Sequence, residues 1–207
     1  YKVNAEALFR VSYDQVSPDQ RQVGKVQELA LGFLGAAGAF ARFAPGHDEA
    51  FVAWAVAAWR QVNPWAMQHG QALEHAYLRA MRNPGNEFAA GRVVYMFHGK
   101  HLWYRLPSGR ILNYPYARLE EDGVSYLKAA WKPAAGAEEW PRARLWRGLA
   151  CENVTQAVAN DILRSSLRKI PDVVLHCHDE DVCEVPVADA ERVAQDMRSA
   201  MCTPPDW

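Results

Sequence analysis

Cysteine is scarce in this sequence: there are four among 207 residues (Cys151, Cys177, Cys183 and Cys202), and no two form a CxxC pair. That excludes a disulfide framework as the scaffold of a chain this long and makes a reducing cytoplasm the expected compartment. Long apolar runs are lacking as well. No stretch approaches the ~20 residues needed to span a bilayer and no signal-like leader precedes Tyr1, so no membrane partner is expected. The sequence starts at Tyr1 rather than Met, which points to processing or to a piece of a longer protein. Neither sign of charge prevails, with 23 Lys and Arg against 24 Asp and Glu and a formal net charge of −1. Glycine-rich phosphate signatures are missing too. Gly32, Gly35 and Gly38 match neither GxGxxG nor GxxxxGK[ST] and point instead to close packing or a loosened helix end.

What is present suits a folded domain. Half the residues are hydrophobic and 23% are charged, which excludes wholesale disorder. A chain of this size buries about 70% of its unfolded surface. The balanced charge is a cancellation. Residues 171–207 hold nine Asp and Glu against Arg192 and Arg198, while the preceding 170 hold 21 basic and 15 acidic groups. A basic body therefore precedes an acidic tail.

The first ninety residues have helical periodicity. Ala5–Val11 is a short helical piece. Ser17-Pro18-Asp19 has the form of an N-cap followed by Pro at the first helical position, opening a long helix from Asp19 to about Ala41. Further helices are predicted over Asp48–Val62, ended by Asn63-Pro64, and over Trp65–Met81. From Gly91 the period changes to that of strands. Arg92–Phe97 and His101–Leu106 form a hairpin about His98-Gly99-Lys100, and Ile111–Tyr114 follows a turn at Pro107-Ser108-Gly109-Arg110. Glu120–Trp140 is an irregular connection, Arg144–Leu167 a long helix, Val173–Cys177 and Val182–Val185 a second hairpin, and Ala188–Met201 a last helix. The fold class is α+β with antiparallel hairpins. The predicted organisation is a helical region over 1–90, a β-hairpin region over 91–119, a connection over 120–140 and a final region over 141–207.

Two clusters carry chemistry. Arg21, Lys25, Leu29 and Phe33 recur every four residues, so on a helix they drift only about 40° per step and share one face. Such a face either grips a polyphosphate with its two cations while a base or sugar rests on its apolar pair, or is an amphipathic face with solvated cations. The second cluster is His178-Asp179-Glu180-Asp181 between two apolar strands. Adjacent carboxylates repel unless solvated or held by a cation. The tip is thus either a solvated turn or one edge of a Mg²⁺ site, which takes one or two carboxylates plus substrate phosphates. Zinc is disfavoured, because strand parity sends His176 and His178 to one side and Cys177 to the other, away from any compact set with Cys183.

Together these segments resemble a family A DNA polymerase, DNA polymerase I-like and of the bacteriophage-type branch. Arg21 to Phe33 looks like the RxxxKxxx(F/Y/L)xxx(Y/F) helix of the fingers, and His178-Asp179-Glu180 like the HDE of the palm hairpin. Glu152 to Asp161 resembles the palm helix between them. Leu106-Pro107-Ser108-Gly109-Arg110 and Trp59-Arg60-Gln61-Val62-Asn63-Pro64 are further phage-type signatures. The matches follow the family order and cover nearly the whole chain.

The resemblance implies fingers plus the C-terminal part of a palm, and template-directed nucleotidyl transfer from dNTP to a DNA primer-template. Arg21 and Lys25 would hold the triphosphate, Lys25 also acting as the acid for the leaving pyrophosphate. Leu29 and Phe33 would border sugar and base, and Tyr1 falls at a further triphosphate-contacting position. Asp179 would bind the catalytic Mg²⁺ ions of a two-metal site and Glu180 would assist. His178 would lie at the primer end, and Asn153, Gln156 and Arg110 would contact DNA. Two features depart from the family pattern. Leu29 stands where the best-known members carry an aromatic ring, and no DxSxxExR-like strand precedes Arg21. The chain is therefore expected to be inactive alone and to need the N-terminal part of the polymerase as partner.

The alternative from another class is a non-catalytic nucleic-acid-binding prophage remnant. Between Phe88 and Leu119 five cations (Arg92, Lys100, Arg105, Arg110 and Arg118) meet no acid and alternate with Phe97, Trp103, Tyr104 and Tyr114. That mixture suits backbone contact and base stacking, or equally a packed hairpin with a solvated basic face.

Overall fold

A computed structural model describes residues 1–130, 132 and 135–207. The architecture is α+β, with antiparallel strand pairing wherever register is defined. The described residues divide into two compact units. The first comprises Tyr1–Tyr104 and Leu112–Glu152, the second Arg105–Ile111 and Asn153–Trp207.

The first unit opens with helices α1 (Lys2–Phe9), α2 (Pro18–Leu31), α3 (Ala37–Phe43), α4 (Glu49–Val62) and α5 (Pro64–Arg82). The N-terminus of α2 is built as its sequence predicts. Ser17 accepts from the Gln20 amide at 3.2 Å, Gln20 Oε1 accepts from the Ser17 amide at 2.9 Å, and Pro18 occupies the first turn. Such a capping box contributes about 1 kcal/mol. Asp48 caps α4 through the Phe51 amide at 2.7 Å. Leu31, Phe40, Trp59 and Leu73, one from each of α2 to α5, are fully buried. Each large aliphatic or aromatic side chain removed from water contributes roughly 1.5–3 kcal/mol.

The predicted long helix from Asp19 to about Ala41 is broken: α2 ends at Leu31 and α3 begins at Ala37. Leu34 adopts a left-handed φ of 64°, and Gly35 lies where a Cβ would collide with the Ala30 carbonyl. The chain turns there, and Gly35 permits the close approach. The first helix also lies further upstream than predicted, at Lys2–Phe9.

A four-stranded sheet follows in the order β1 (Glu87–Ala90), β2 (Val93–His98), β3 (His101–Arg105), β4 (Ile111–Tyr114), with α5 packed on β1 and β2. A second sheet orders β5 (Arg118–Glu120), β6 (Gly123–Leu127) and β7 (Arg142–Leu145). Strands β1, β5, β6 and β7 lie outside the sequence-based strands, and β6 falls within the stretch read as irregular. Val124, Ser125 and Tyr126 are all buried, which erases the alternation that marks a half-exposed strand. Ser125 tolerates burial because it donates to Glu120 at 2.5 Å and accepts from Arg142 at 2.9 Å. The predicted connection also includes Trp131, Pro133 and Ala134, which lie outside the described residues. A ladder of tyrosines (Tyr77, Tyr95, Tyr104, Tyr114 and Tyr126) joins α5 to both sheets, with successive ring centroids 6.0, 5.7, 5.2 and 4.9 Å apart. Tyr104 and Tyr114 are thereby buried and are not free to stack on bases.

Helix α6 (Arg147–Leu167) begins in the first unit, three residues later than predicted, and continues in the second. The second unit also holds the hairpin β8 (Val173–Cys177) and β9 (Glu180–Cys183), then α7 (Ala190–Cys202). Strand β9 begins two residues before the predicted Val182. No described helix is long and apolar enough to cross a membrane.

Candidate functional site

The cation face lies on α2. Gly24, Val26, Gln27, Ala30 and Leu31 are buried, so the opposite side of the helix faces solvent and carries Arg21, Lys25 and Leu29. Burial fixes the rotation of the helix. Gly24 permits the start of α1 to approach, since a Cβ there would collide with the Tyr1 carbonyl. Asn4 donates to the Gly24 carbonyl at 3.3 Å and to Glu28 at 2.9 Å, and buried Gln27 donates to the Ala55 carbonyl at 2.9 Å. These bonds hold α2 against α1 and α4. The Arg21 guanidinium sits over the Tyr1 ring, 5.4 Å from its centroid. Neither Arg21 nor Lys25 forms an ion pair among the described residues.

Phe33 departs from the expected arrangement. It lies in the turn after α2 rather than on the helix, half-buried, because the helix ends at Leu31. The structure thus brings Tyr1, Arg21, Lys25 and Leu29 onto one solvent-facing patch, with Phe33 just past its end.

The acidic hairpin belongs to the second unit. Cys177 pairs with Glu180, leaving His178 and Asp179 as a two-residue turn in which His178 takes a left-handed φ of 55°. His tolerates that region better than branched residues do. Only Asp179 of the three carboxylates lies in the turn. Glu180 and Asp181 occupy successive positions of β9 and point to opposite faces. Across the ladder His176 faces Asp181, so Glu180 lies on the face of Cys177, Leu175 and Val182. Among the described residues no three His, Cys, Asp or Glu side chains converge in a manner that would hold a metal ion.

Sequence reasoning counted Asp181 within the acidic tip but gave it no role. Both of its carboxylate oxygens are buried without a hydrogen-bond partner among the described residues. A buried unpaired acceptor costs about 1–3 kcal/mol. Its neighbour Cys183 has a thiol pKa pushed up by burial and then by the carboxylates of Asp172 and Asp181. Asp179 and Glu180 are exposed oxygen ligands of the kind Mg²⁺ takes, whereas Asp181 faces the other side of the hairpin and does not join them.

In the second unit Asn153 is half-buried and Gln156 exposed, three residues apart on one face of α6. One turn further, buried Asp161 accepts from Ser108 at 2.5 Å and pairs with Arg110 Nε at 2.6 Å, while Arg110 Nη2 donates to the Ala157 carbonyl at 2.7 Å. The Leu106–Arg110 signature is therefore a turn fastened to α6, with the Arg110 guanidinium engaged by both Asp161 and the Ala157 carbonyl.

No protein-family model matches the chain. Over 198 residues, 90% of its length, the chain is 31% identical to the DNA polymerase of Bacillus phage SP02. The resemblance to a bacteriophage DNA polymerase is thus borne out. The matched stretch spans 30% of the length of that relative.

Proposed function

We propose that this chain is part of a template-directed DNA polymerase, contributing the face that holds an incoming deoxynucleoside triphosphate and one edge of a Mg²⁺ site. The observation that carries the reading is the pair Arg21 and Lys25. They are two cations one helical turn apart, without a carboxylate partner among the described residues, on a helix whose buried side fixes their direction.

In nucleotidyl transfer the primer 3′-oxygen attacks the α-phosphorus, and the new O–P bond forms as the bond to pyrophosphate breaks. Positioning and charge neutralisation provide most of the catalysis. Arg21 and Lys25 hold the triphosphate, and Lys25 passes a proton to the departing pyrophosphate. Tyr1 supports the Arg21 guanidinium from below, while Leu29 and Phe33 border the sugar and base. Leu29 contributes apolar contact without ring stacking. Asp179 and Glu180 would hold Mg²⁺, which would supply charge neutralisation at the reacting oxygens. His178 lies at the primer end, Asn153 and Gln156 in the minor groove, and Arg110 orders the turn beside α6.

Two carboxylates at a hairpin are too few for a two-metal centre, so the chain alone is expected not to polymerise. Its partner would be the remaining part of the polymerase. A lone two-stranded hairpin is marginal in water, and Val174, Leu175 and Val182 are exposed on this one, offering apolar surface to further chain. The test is photolabelling with 8-azido-dATP alongside a primer-extension assay. The α2 peptide should be labelled, unlabelled dATP should protect it better than dAMP, and no primer should be extended. Equal protection by dAMP would remove the triphosphate role, and templated extension abolished by Asp179→Ala would overturn the expected inactivity. DNA binding with no α2 labelling would favour a non-catalytic nucleic-acid-binding remnant.

A further inference from the structure

Within the second unit lies a cavity of about 340 Å³ whose lining has no role in the reading above. Arg110, Arg164 and Arg168 line it with Ser108, Ser165, Asp161 and Trp207. The one carboxylate is already committed, since Asp161 accepts from Ser108 and pairs with Arg110. Arg164 and Arg168 form no ion pair with an Asp or Glu among the described residues, so the side chains of the cavity carry a positive excess. Arg164 lies in the last turn of α6, and Arg168 four residues on, in the turn that follows the helix. Both line the same cavity, so their long side chains can reach neighbouring phosphates of one strand. Guanidinium groups bind phosphate oxygens in paired fashion, the Ser165 hydroxyl adds a donor, and an indole offers a stacking face to any base.

We propose that this cavity holds one nucleotide of a single-stranded nucleic acid. Arg164 and Arg168 grip successive phosphates, and Trp207 stacks on the base. The Arg110–Asp161 pair does not bind the strand through its charge. It holds the wall of the cavity in place. The choice of a strand over a free anion rests on the nucleic-acid reading above, but the site requires neither Mg²⁺ nor a triphosphate and does not involve Arg21 or Lys25.

The test is anisotropy of fluorescein-labelled dT8 on the full chain, in EDTA and without nucleotide, over a series of salt concentrations. Arg164→Gln/Arg168→Gln should weaken binding about tenfold and lower the salt slope by about 1.4, the loss of two single-strand phosphate contacts. Arg164→Lys/Arg168→Lys should keep the salt slope while losing part of the affinity, because the charge remains and the planar fork is gone. Trp207→Leu should weaken binding with the slope unchanged. Arg198→Gln, a solvent-facing cation on α7, should change nothing. The proposal fails if the double glutamine variant binds within twofold of the parent, or if Arg198→Gln weakens binding equally. It also fails if inorganic phosphate displaces dT8 at equal concentration, which would mark a small-anion site. Because metal and nucleotide are absent, these outcomes are independent of whether α2 binds a triphosphate.

Discussion

Arg110 and Asp161 meet through a 2.6 Å contact in which the carboxylate is almost wholly buried and the guanidinium about one-third exposed. Asp161 is also the acceptor for Ser108, so one carboxylate fastens the whole Leu106–Arg110 turn to α6. Asp161→Ala leaves both donors unsatisfied. Breaking an enclosed pair costs about 3–5 kcal/mol, and the partial exposure of Arg110 reduces this to roughly 2–3. Thermal unfolding followed by circular dichroism should show a Tm lower by about 4–12 °C. A shift within one degree would show that the pair does not hold the turn.

Tyr95 is the most enclosed ring of the tyrosine ladder, and its hydroxyl has no hydrogen-bond partner among the described residues. Burial raises its pKa, so it stays neutral throughout the working range. Tyr95→Phe removes an unsatisfied donor while keeping the ring, and stability should be unchanged or higher by up to about 1 kcal/mol. Tyr77→Phe, which removes a 3.2 Å bond to Glu74, should cost about 0.5–1.5 kcal/mol. Urea denaturation of the two variants gives the comparison, and a destabilised Tyr95→Phe would reveal a missed partner.

Cys183 should be the slowest of the cysteines on the β8–β9 hairpin and on α7 to alkylate. Its raised pKa lowers its thiolate fraction at pH 8, and it is less exposed than Cys177 and Cys202. Mass-resolved iodoacetamide labelling should rank it last. Asp181→Asn removes one of the charges that raise the pKa and should accelerate it. If Cys183 reacts first, the carboxylates do not face the thiol.

His69 on α5 has its pKa lowered by burial, so the folded state favours neutral imidazole. The unfolded chain binds the proton at higher pH than the folded one does. The stability from this group is therefore complete above the ordinary value near 6.5 and declines as pH falls through the folded pKa. Urea midpoints between pH 7.5 and 5 should fall, and His69→Gln should flatten that fall. An unchanged slope in the variant would assign the acid sensitivity elsewhere.

Local signals in the sequence were legible where local chemistry decides the structure. Ser17, Gln20 and Pro18 announce the start of α2, Asp48 the start of α4, and Val173–Cys177 forms the strand its residues predict. The end of α2 was hidden, because Leu34 turns left-handed with only scattered glycines as a sign, and this displaced Phe33 from the cation face. Strand β6 was hidden because burial of Ser125 depends on Arg142 and Glu120, contacts no periodicity reports. At the acidic hairpin, residue identities suggested a cluster, whereas the two-residue turn places Glu180 and Asp181 on opposite faces. The fastening of Arg110 to Asp161 was equally invisible, because it joins a loop and a helix far apart in sequence.

The central claim is that Arg21 and Lys25 hold a triphosphate, and the most direct measurement is isothermal titration of the chain with dATP in Mg²⁺. Arg21→Gln and Lys25→Gln should each weaken binding about tenfold, corresponding to about 1.4 kcal/mol for a lost charge-assisted contact. Arg92→Gln, a cation outside this face, should leave it unchanged. Equal affinity for dATP in the parent and in both α2 variants would contradict the account.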